Sequence, residues 1–242
     1  MPTTPHFHLA SVGSTLSEAW SMVGQGEAAP FWLTADEQTQ GRGRMDRHWV
    51  SKPGNLYSTY VTPPPADLQL LPFAVSLAVY QAIARLLPED RRVAISLKWP
   101  NDVLIGGAKT SGILIEQKTQ TGQAPLIAIG IGINVEHAPE IAGRAVAHLA
   151  GQGAIATPGE VFAALRETLS GTLMQLERTP QAIIPAWTQR ATGVGSPISV
   201  RMGEETLHGT FDHLATDGAL MVRLDSGAMR AIRTGDIVIK PQ

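Results

Sequence analysis

Apolar side chains recur at three- and four-residue intervals from residue 71 to 87, at Phe73, Leu77, Tyr80, Ala84 and Leu87, which predicts a largely buried helix. A second helix is predicted over about 160–177 and a short one over 181–190. Ser14 and Thr15 read as hydroxyl caps of a helix running through Glu18, Ala19 and Trp20, because such oxygens accept bonds from the free N–H groups of a first turn. Between these lie runs with strand character. Residues 31–34 lead into a Gly/Arg-rich loop, and 56–61 form an aromatic and β-branched run stopped by Pro63, Pro64 and Pro65. Residues 93–99 return as a strand. Residues 101–105 and 112–116 suit a hairpin turning at Gly106-Gly107, and 126–135 form an apolar strand interrupted by Gly130 and Gly132.

The pattern changes near residue 192. Short strands over 198–202, 206–214, 219–224, 229–233 and 236–239 are separated by turns at Gly203, Asp217-Gly218, Ser226-Gly227 and Gly235, the spacing of a small β-barrel. The fold class expected is α+β. A mixed sheet with flanking helices would occupy residues 1–191, and a small β-domain residues 192–242.

Composition narrows the function. A chain of 242 residues that is 43% hydrophobic can bury a real core. Charges nearly cancel, 19 basic against 21 acidic, so no overall field draws the chain to nucleic acid or anionic lipid, and any basic patch must be local. Cysteine is absent, which excludes disulfide scaffolds, zinc–thiolate sites and thiol nucleophiles. The N-terminus lacks a basic segment followed by an apolar run, and no apolar stretch is read as membrane-spanning, so a cytoplasmic protein is expected. His6 and His8 alternate on a possible strand, with no carboxylate at metal-ligand spacing in sequence.

The chemistry concentrates in three blocks: residues 38–49 with Gly41-Arg42-Gly43-Arg44, Arg47 and Trp49; Lys98-Trp99-Pro100-Asn101-Asp102; and Lys109-Thr110-Ser111-Gly112. A glycine and arginine loop can wrap a polyanion, and a Lys/Asn/Asp set can hold a metal and an activated phosphoryl group, which together suggest chemistry on a nucleotide. Gly106-Gly107-Ala108-Lys109-Thr110 is not a P-loop, because Ala108 stands directly before the lysine, where that motif needs glycine.

In order and spacing these blocks, with Gly130-Ile131-Gly132-Ile133-Asn134-Val135, resemble the biotin protein ligases over almost the whole chain. The resemblance implies a catalytic domain like those of class II aminoacyl-tRNA synthetases and biotin protein ligases, followed by an SH3-like β-barrel. It implies formation of biotinyl-5'-AMP from biotin and Mg-ATP, then transfer of biotin to one lysine of a biotin carboxyl carrier protein domain of acetyl-CoA carboxylase or a related carboxylase. Lys109, Arg42, Arg44 and Asp102 would be catalytic. Biotin would meet Ser14, Thr15, Gln38, Gly41, Arg42, Arg44, Lys109 and Gly112. ATP would meet Arg42, Arg44, Arg47, Trp49, Lys98, Asn101, Asp102, Lys109 and Asn134, with Asn101 and Asp102 offering oxygen ligands to Mg²⁺. Trp49 equally suits a core aromatic that anchors the loop, and Gly130 and Gly132 read as close-approach positions.

Two departures from the family pattern stand out: Asp46 where glycine is usual, and Leu16 where a polar residue commonly follows Ser-Thr. Residues 41–48 are expected to be mobile without ligand. The nearest alternative is an adenylating lipoate protein ligase of the same superfamily; transferases acting through a cysteine thioester are excluded. A DNA-binding repressor is not expected, because only 13 residues precede Ser14, too few for a helix-turn-helix. A pure binding module stays open for 192–242, as does a homodimer.

Overall fold

The computed structural model describes residues 4–119 and 122–239. The order of elements is β1 (His6–Val12), α1 (Thr15–Gly24), β2 (Phe31–Gln38), β3 (Leu56–Thr62), α2 (Leu71–Leu86), α3 (Glu89–Arg92), β4 (Ile95–Lys98), β5 (Asp102–Ile105), β6 (Ala108–Lys118), β7 (Leu126–Ile133), α4 (Pro158–Arg178), α5 (Ile183–Thr188), and then β8 (Pro197–Met202), β9 (Glu205–Leu214), β10 (Leu220–Arg223), β11 (Met229–Ile232) and β12 (Asp236–Ile239). Strands β1 to β7 form a seven-stranded sheet in the order β1-β2-β3-β7-β6-β5-β4. Only β1 and β2 run parallel in it, so the sheet is mixed. The other five strands form an antiparallel sheet in the order β11-β10-β9-β8-β12.

Alternation along β7 explains how the larger sheet makes both a core and a cleft. Successive side chains on a strand face opposite ways. Ile127, Ile129, Ile131 and Ile133 join the large cluster with Leu77, Ile83 and Leu165 on the side of α2 and α4, while Ala128 packs with Leu16, Trp20, Phe31 and Leu33 beneath α1. Beyond Ala128 on the same face of β7 come Gly130 and Gly132, and β6 sets Gly112 opposite Gly132. Bulk fills one face and its absence hollows the other.

The structure amends several expectations. Ser14 is the N-cap of α1 but its side chain makes no capping bond; the Oε1 of Gln38 takes that role, accepting from the Thr15 N–H at 2.8 Å. The strand expected over 93–99 shortens to β4, because α3 intervenes and Val93 stays exposed. The stretch Leu68–Leu86 does have the length and apolarity of a membrane span, yet it is largely buried: α2 packs against the sheet and α4. His6 and His8 do lie on a strand, and the parallel β2 brings a carboxylate that sequence spacing did not show, with His8 Nε2 3.3 Å from Asp36. Among the described residues no group of three metal-ligating side chains forms there or elsewhere.

Candidate active site

The hollow face opens as a cleft lined by residues from eight separate stretches of chain. Ser14, Thr15, Gln38, Arg42, Arg44, Arg47, Trp49, Asn101, Asp102, Lys109, Gly112 and Asn134 all border it. Gly41 and Lys98 do not. A Cβ on Gly41 would lie 2.2 Å from the Trp49 carbonyl oxygen, so its lack of a side chain serves packing at the base of the loop. Lys98 lies beside the cleft, where burial lowers its pKa and the nearby Asp102 carboxylate opposes that shift.

The Gly/Arg loop is a small hairpin. Trp49 N–H donates to the Gly41 carbonyl at 2.9 Å and Gly43 N–H to that of Arg47 at 2.7 Å. Its tip turns through Met45 at φ 55°, a left-handed conformation disfavoured for a residue carrying a Cβ. The hairpin lays the Trp49 indole across the glycine floor. A Cβ on Gly132 would stand 2.7 Å from Trp49 Nε1, and one on Gly112 2.9 Å from the ring edge. Any side chain at either position would evict the indole. Its Nε1 is buried with no acceptor among the described residues.

Lys109 reaches this floor through an irregularity. In an unbroken β6 the alternation would turn Lys109 away from Gly112, three residues on. The register shifts instead between Val103 and Leu104, which pair with Ser111 and Lys109 and skip Thr110. That bulge reverses the alternation, so Lys109 Nζ falls 2.6 Å from Asp102 Oδ1, 5.5 Å from the Trp49 ring centroid, and 3.4 Å from where a Gly112 Cβ would be.

At the α1 end the cleft wall is a chain of polar side chains. Thr59 Oγ1 donates to Thr15 Oγ1 at 3.0 Å, Thr15 donates to Gln38 Oε1 at 3.1 Å, Gln38 Nε2 donates to Ser51 Oγ at 2.8 Å, and Ser51 donates to the Trp49 carbonyl at 2.9 Å. Tyr57 stands behind it, its hydroxyl donating to the Lys52 carbonyl at 2.7 Å and its pKa raised to about 12 by burial. Leu16 forms an apolar wall, with Cδ1 3.4 Å from where a Cβ on Gly130 would lie.

Cations gather at the other end. Arg44 donates to Asn101 Oδ1 at 3.1 Å and to the Gly235 carbonyl at 3.3 Å, and Arg47 pairs with Asp236. Arg42 stands apart, holding Glu116 at 2.8 Å, while that carboxylate's other oxygen accepts from Trp20 Nε1 at 3.0 Å. Asn134 is buried and its amide donates to the Ala147 carbonyl at 3.0 Å, fastening the segment that carries Arg144 and Val146 to the cleft's rim.

The residues proposed to hold magnesium do not present an open oxygen pair. Asn101 Oδ1 is engaged by Arg44, its Nδ2 donates to the Ile113 carbonyl, and one Asp102 oxygen is engaged by Lys109. Only the second Asp102 oxygen is left for a hard cation.

Sequence reasoning missed Asp236, Arg144, Tyr57, Ser58 and Glu116. Asp236, Arg144, Tyr57 and Ser58 lie outside the glycine and lysine motifs, and Glu116 figured only as the end of the strand expected over 112–116. The Asp46 side chain lies outside the described residues.

Comparison with known proteins gives a consistent picture. Residues 20–134 match the Biotin/lipoate A/B protein ligase family and residues 193–240 the Biotin protein ligase C terminal domain. The biotin--[acetyl-CoA-carboxylase] ligase of Paracoccus denitrificans is 34% identical over 229 residues, spanning 90% of this chain and 94% of that protein. The structure of the biotin protein ligase from Aquifex aeolicus in complex with biotin and ATP superposes with a TM-score of 0.82 at 25% identity, covering 99% of this chain and 100% of that one. That of the Leishmania major biotin protein ligase in complex with biotinyl-5-AMP gives 0.69 at 26% identity, over 95% of this chain and 99% of its own.

Proposed function

We propose that this chain, which belongs to the biotin protein ligase family, condenses biotin with ATP to biotinyl-5'-AMP and pyrophosphate and then moves the biotinyl group to a lysine of a carboxyl carrier domain. The observation that carries the reading is a single cleft with a polar wall at one end, arginines at the other, and Lys109 beside Asp102 on a glycine floor between them.

In the first step a biotin carboxylate oxygen bonds to the α-phosphorus while the bond to the pyrophosphate oxygen breaks. Charge builds on the phosphoryl oxygens and the leaving group, and fixed cations in a water-poor site lower that barrier. Lys109 is the cation between carboxylate and α-phosphate, and Arg44 and Arg47 meet the phosphates. Arg42, tied to Glu116, meets the ligand through its backbone. Asp102 would offer an oxygen to the Mg²⁺ of the Mg-ATP substrate, which would offset charge on the phosphates.

In the second step the lysine amine of the carrier attacks the mixed-anhydride carbonyl, an amide forms, and AMP leaves with the phosphate oxygen. Asp102 accepts the amine's proton or orients it. The polar wall of Ser14, Thr15 and Gln38 pairs the urea-like ring, where each unmatched buried polar atom would cost about 1 to 3 kcal/mol. The ligase chemistry occupies residues 1–191, the β-domain 192–242 closes over the nucleotide, and the protein works in the cytoplasm on a carrier domain of acetyl-CoA carboxylase or a related enzyme.

Mass spectrometry of a carrier domain incubated with the protein, Mg-ATP and either biotin or lipoate tests this. The expected result is one biotin-sized gain on one lysine, absent with Lys109→Ala. Transfer of lipoate instead would overturn the substrate, and undiminished transfer by Lys109→Ala would overturn the role given to that residue.

A further inference from the structure

Two of the three loop arginines leave their own hairpin and cross to the last strand of the chain. Arg47 pairs with the Asp236 carboxylate, and Arg44 Nη1 lies 3.9 Å from its other oxygen while Nη2 donates to the Gly235 carbonyl at 3.3 Å. Asp236 opens β12 opposite Arg201 and borders the cleft. The turn that delivers it requires glycine: Gly235 has φ 148°, and a Cβ there would come 2.9 Å from the Arg201 carbonyl oxygen. Burial favours the neutral acid at Asp236, but the Arg47 and Arg44 guanidiniums outweigh it and keep the carboxyl below its ordinary range.

The hairpin itself is weakly held. Its tip turns through Met45 in a left-handed conformation, and Met45 is 51% exposed, so no apolar anchor pins it. A carboxylate facing a site for phosphates would repel them unless neutralised, and here two guanidiniums neutralise it while leaving one positive charge over. The arrangement fits a fastening better than a binding group.

We propose that Asp236 is a latch: a positioning residue of the C-terminal sheet that acts through Arg47 and Arg44 to hold the Gly/Arg hairpin closed over the reactive adenylate between the two steps. The retention of the intermediate is thereby set from a strand more than 180 residues away from the loop. This rests on the adenylate-forming reading above.

The test is release of radiolabelled biotinyl-5'-AMP from the full chain, with amide hydrogen exchange over residues 41–48 measured in the ligand-free protein. Asp236→Asn keeps the side chain's shape and removes its charge. Release is expected to quicken about fivefold, the scale of a partly exposed ion pair, and exchange over 41–48 to quicken with it. Arg47→Gln should quicken exchange in the ligand-free protein from the other side, and the double variant should show less than the sum of the two effects, because the substitutions share the Arg47–Asp236 pair. Asp236→Glu should recover part of the retention, which a merely structural defect would not.

Unchanged release and exchange in both single variants overturn the latch, as does strict additivity in the double. If the wild type forms no adenylate while exchange still quickens in Asp236→Asn, the functional reading fails and the fastening stands. Should Asp236→Asn not fold, exchange over residues 41–48 in ligand-free Arg47→Gln decides the matter, since that variant leaves β12 intact and the measurement involves no phosphate contact.

Discussion

At Gly132 a missing side chain makes room for another residue's ring. The indole of Trp49 fills the space a Cβ would occupy, 2.7 Å from Nε1, and lies on two glycines paired across β6 and β7. Gly132→Ala must therefore move the indole, the strand or both, and overpacking of this kind costs about 1 to 3 kcal/mol. Adenylate formation is expected to fall by about 5- to 150-fold, the rate equivalent of that energy, with a shift in tryptophan emission as the ring leaves its slot. Activity within twofold of wild type would remove the floor's role in placing Trp49. Gly132 was legible as a close-approach position, and the lysine, asparagine and aspartate as a polar set, because each stands in a short contiguous motif. Their mutual geometry was not. Lys109 meets Asp102 only because Thr110 is bulged out of the ladder, and nothing in Lys109-Thr110-Ser111 announces the bulge. Asp236 was silent for a different reason: it is one acid in a short strand, and only the packing of one sheet on the other gives it two arginines.

Helix α4 shows the same limit at the scale of elements. Its periodicity places it at about 160–177, and it spans Pro158–Arg178. The start is set by a capping box, with Thr157 Oγ1 accepting from the Glu160 N–H at 3.3 Å and Glu160 Oε2 accepting from the Thr157 N–H at 2.8 Å. Thr157→Ala removes half of that exchange and should lower the melting temperature by about 2 to 4 °C at pH 7. The pH dependence has a definite sign. Bonds from Thr157 lower the Glu160 pKa from 4.5, so the box's contribution is present above that value and is lost as pH falls through the lowered one. The gap between variant and wild type, read by calorimetry, should narrow on acidification in that range, and a gap that widened would contradict the assignment. For α1 the hydroxyl pattern pointed to Ser14 as the cap, whereas the oxygen comes from Gln38 on β2. A local pattern found the helix; only the parallel pairing of β1 with β2, which sets Val12 beside Gln38, shows what caps it.

Across the whole molecule the change of pattern near residue 192 suggests two units, but burial runs through the boundary. Ile198, Val200, Phe211, Leu220, Val222 and Ile237 of the smaller sheet belong to the same apolar cluster as Phe73, Leu97, Trp99 and Trp187. Backbone joins them too: Leu97 N–H donates to the Arg190 carbonyl at 2.8 Å, and Thr192 N–H to that of Leu97 at 2.8 Å. Trp99 Nε1 donates to the Gly218 carbonyl at 3.2 Å, and Gly218 sits so close to the Phe73 ring that a Cβ would come within 2.2 Å of it. Opening this contact would strip cover from the largest buried aromatics of the core and leave the Trp99 donor unpaired. Units joined through one core unfold together, because neither can lose its partner and keep its own packing. The full chain should therefore show one calorimetric transition, with the van't Hoff and calorimetric enthalpies equal, and a fragment ending at Ala191 should lack a cooperative melt. Two resolved transitions, or a fragment that melts cooperatively near the full chain's temperature, would mean that the smaller sheet is an independent module. The coupling bears directly on the cleft, since a β12 that folds with the larger sheet holds Asp236 at a fixed distance from the hairpin.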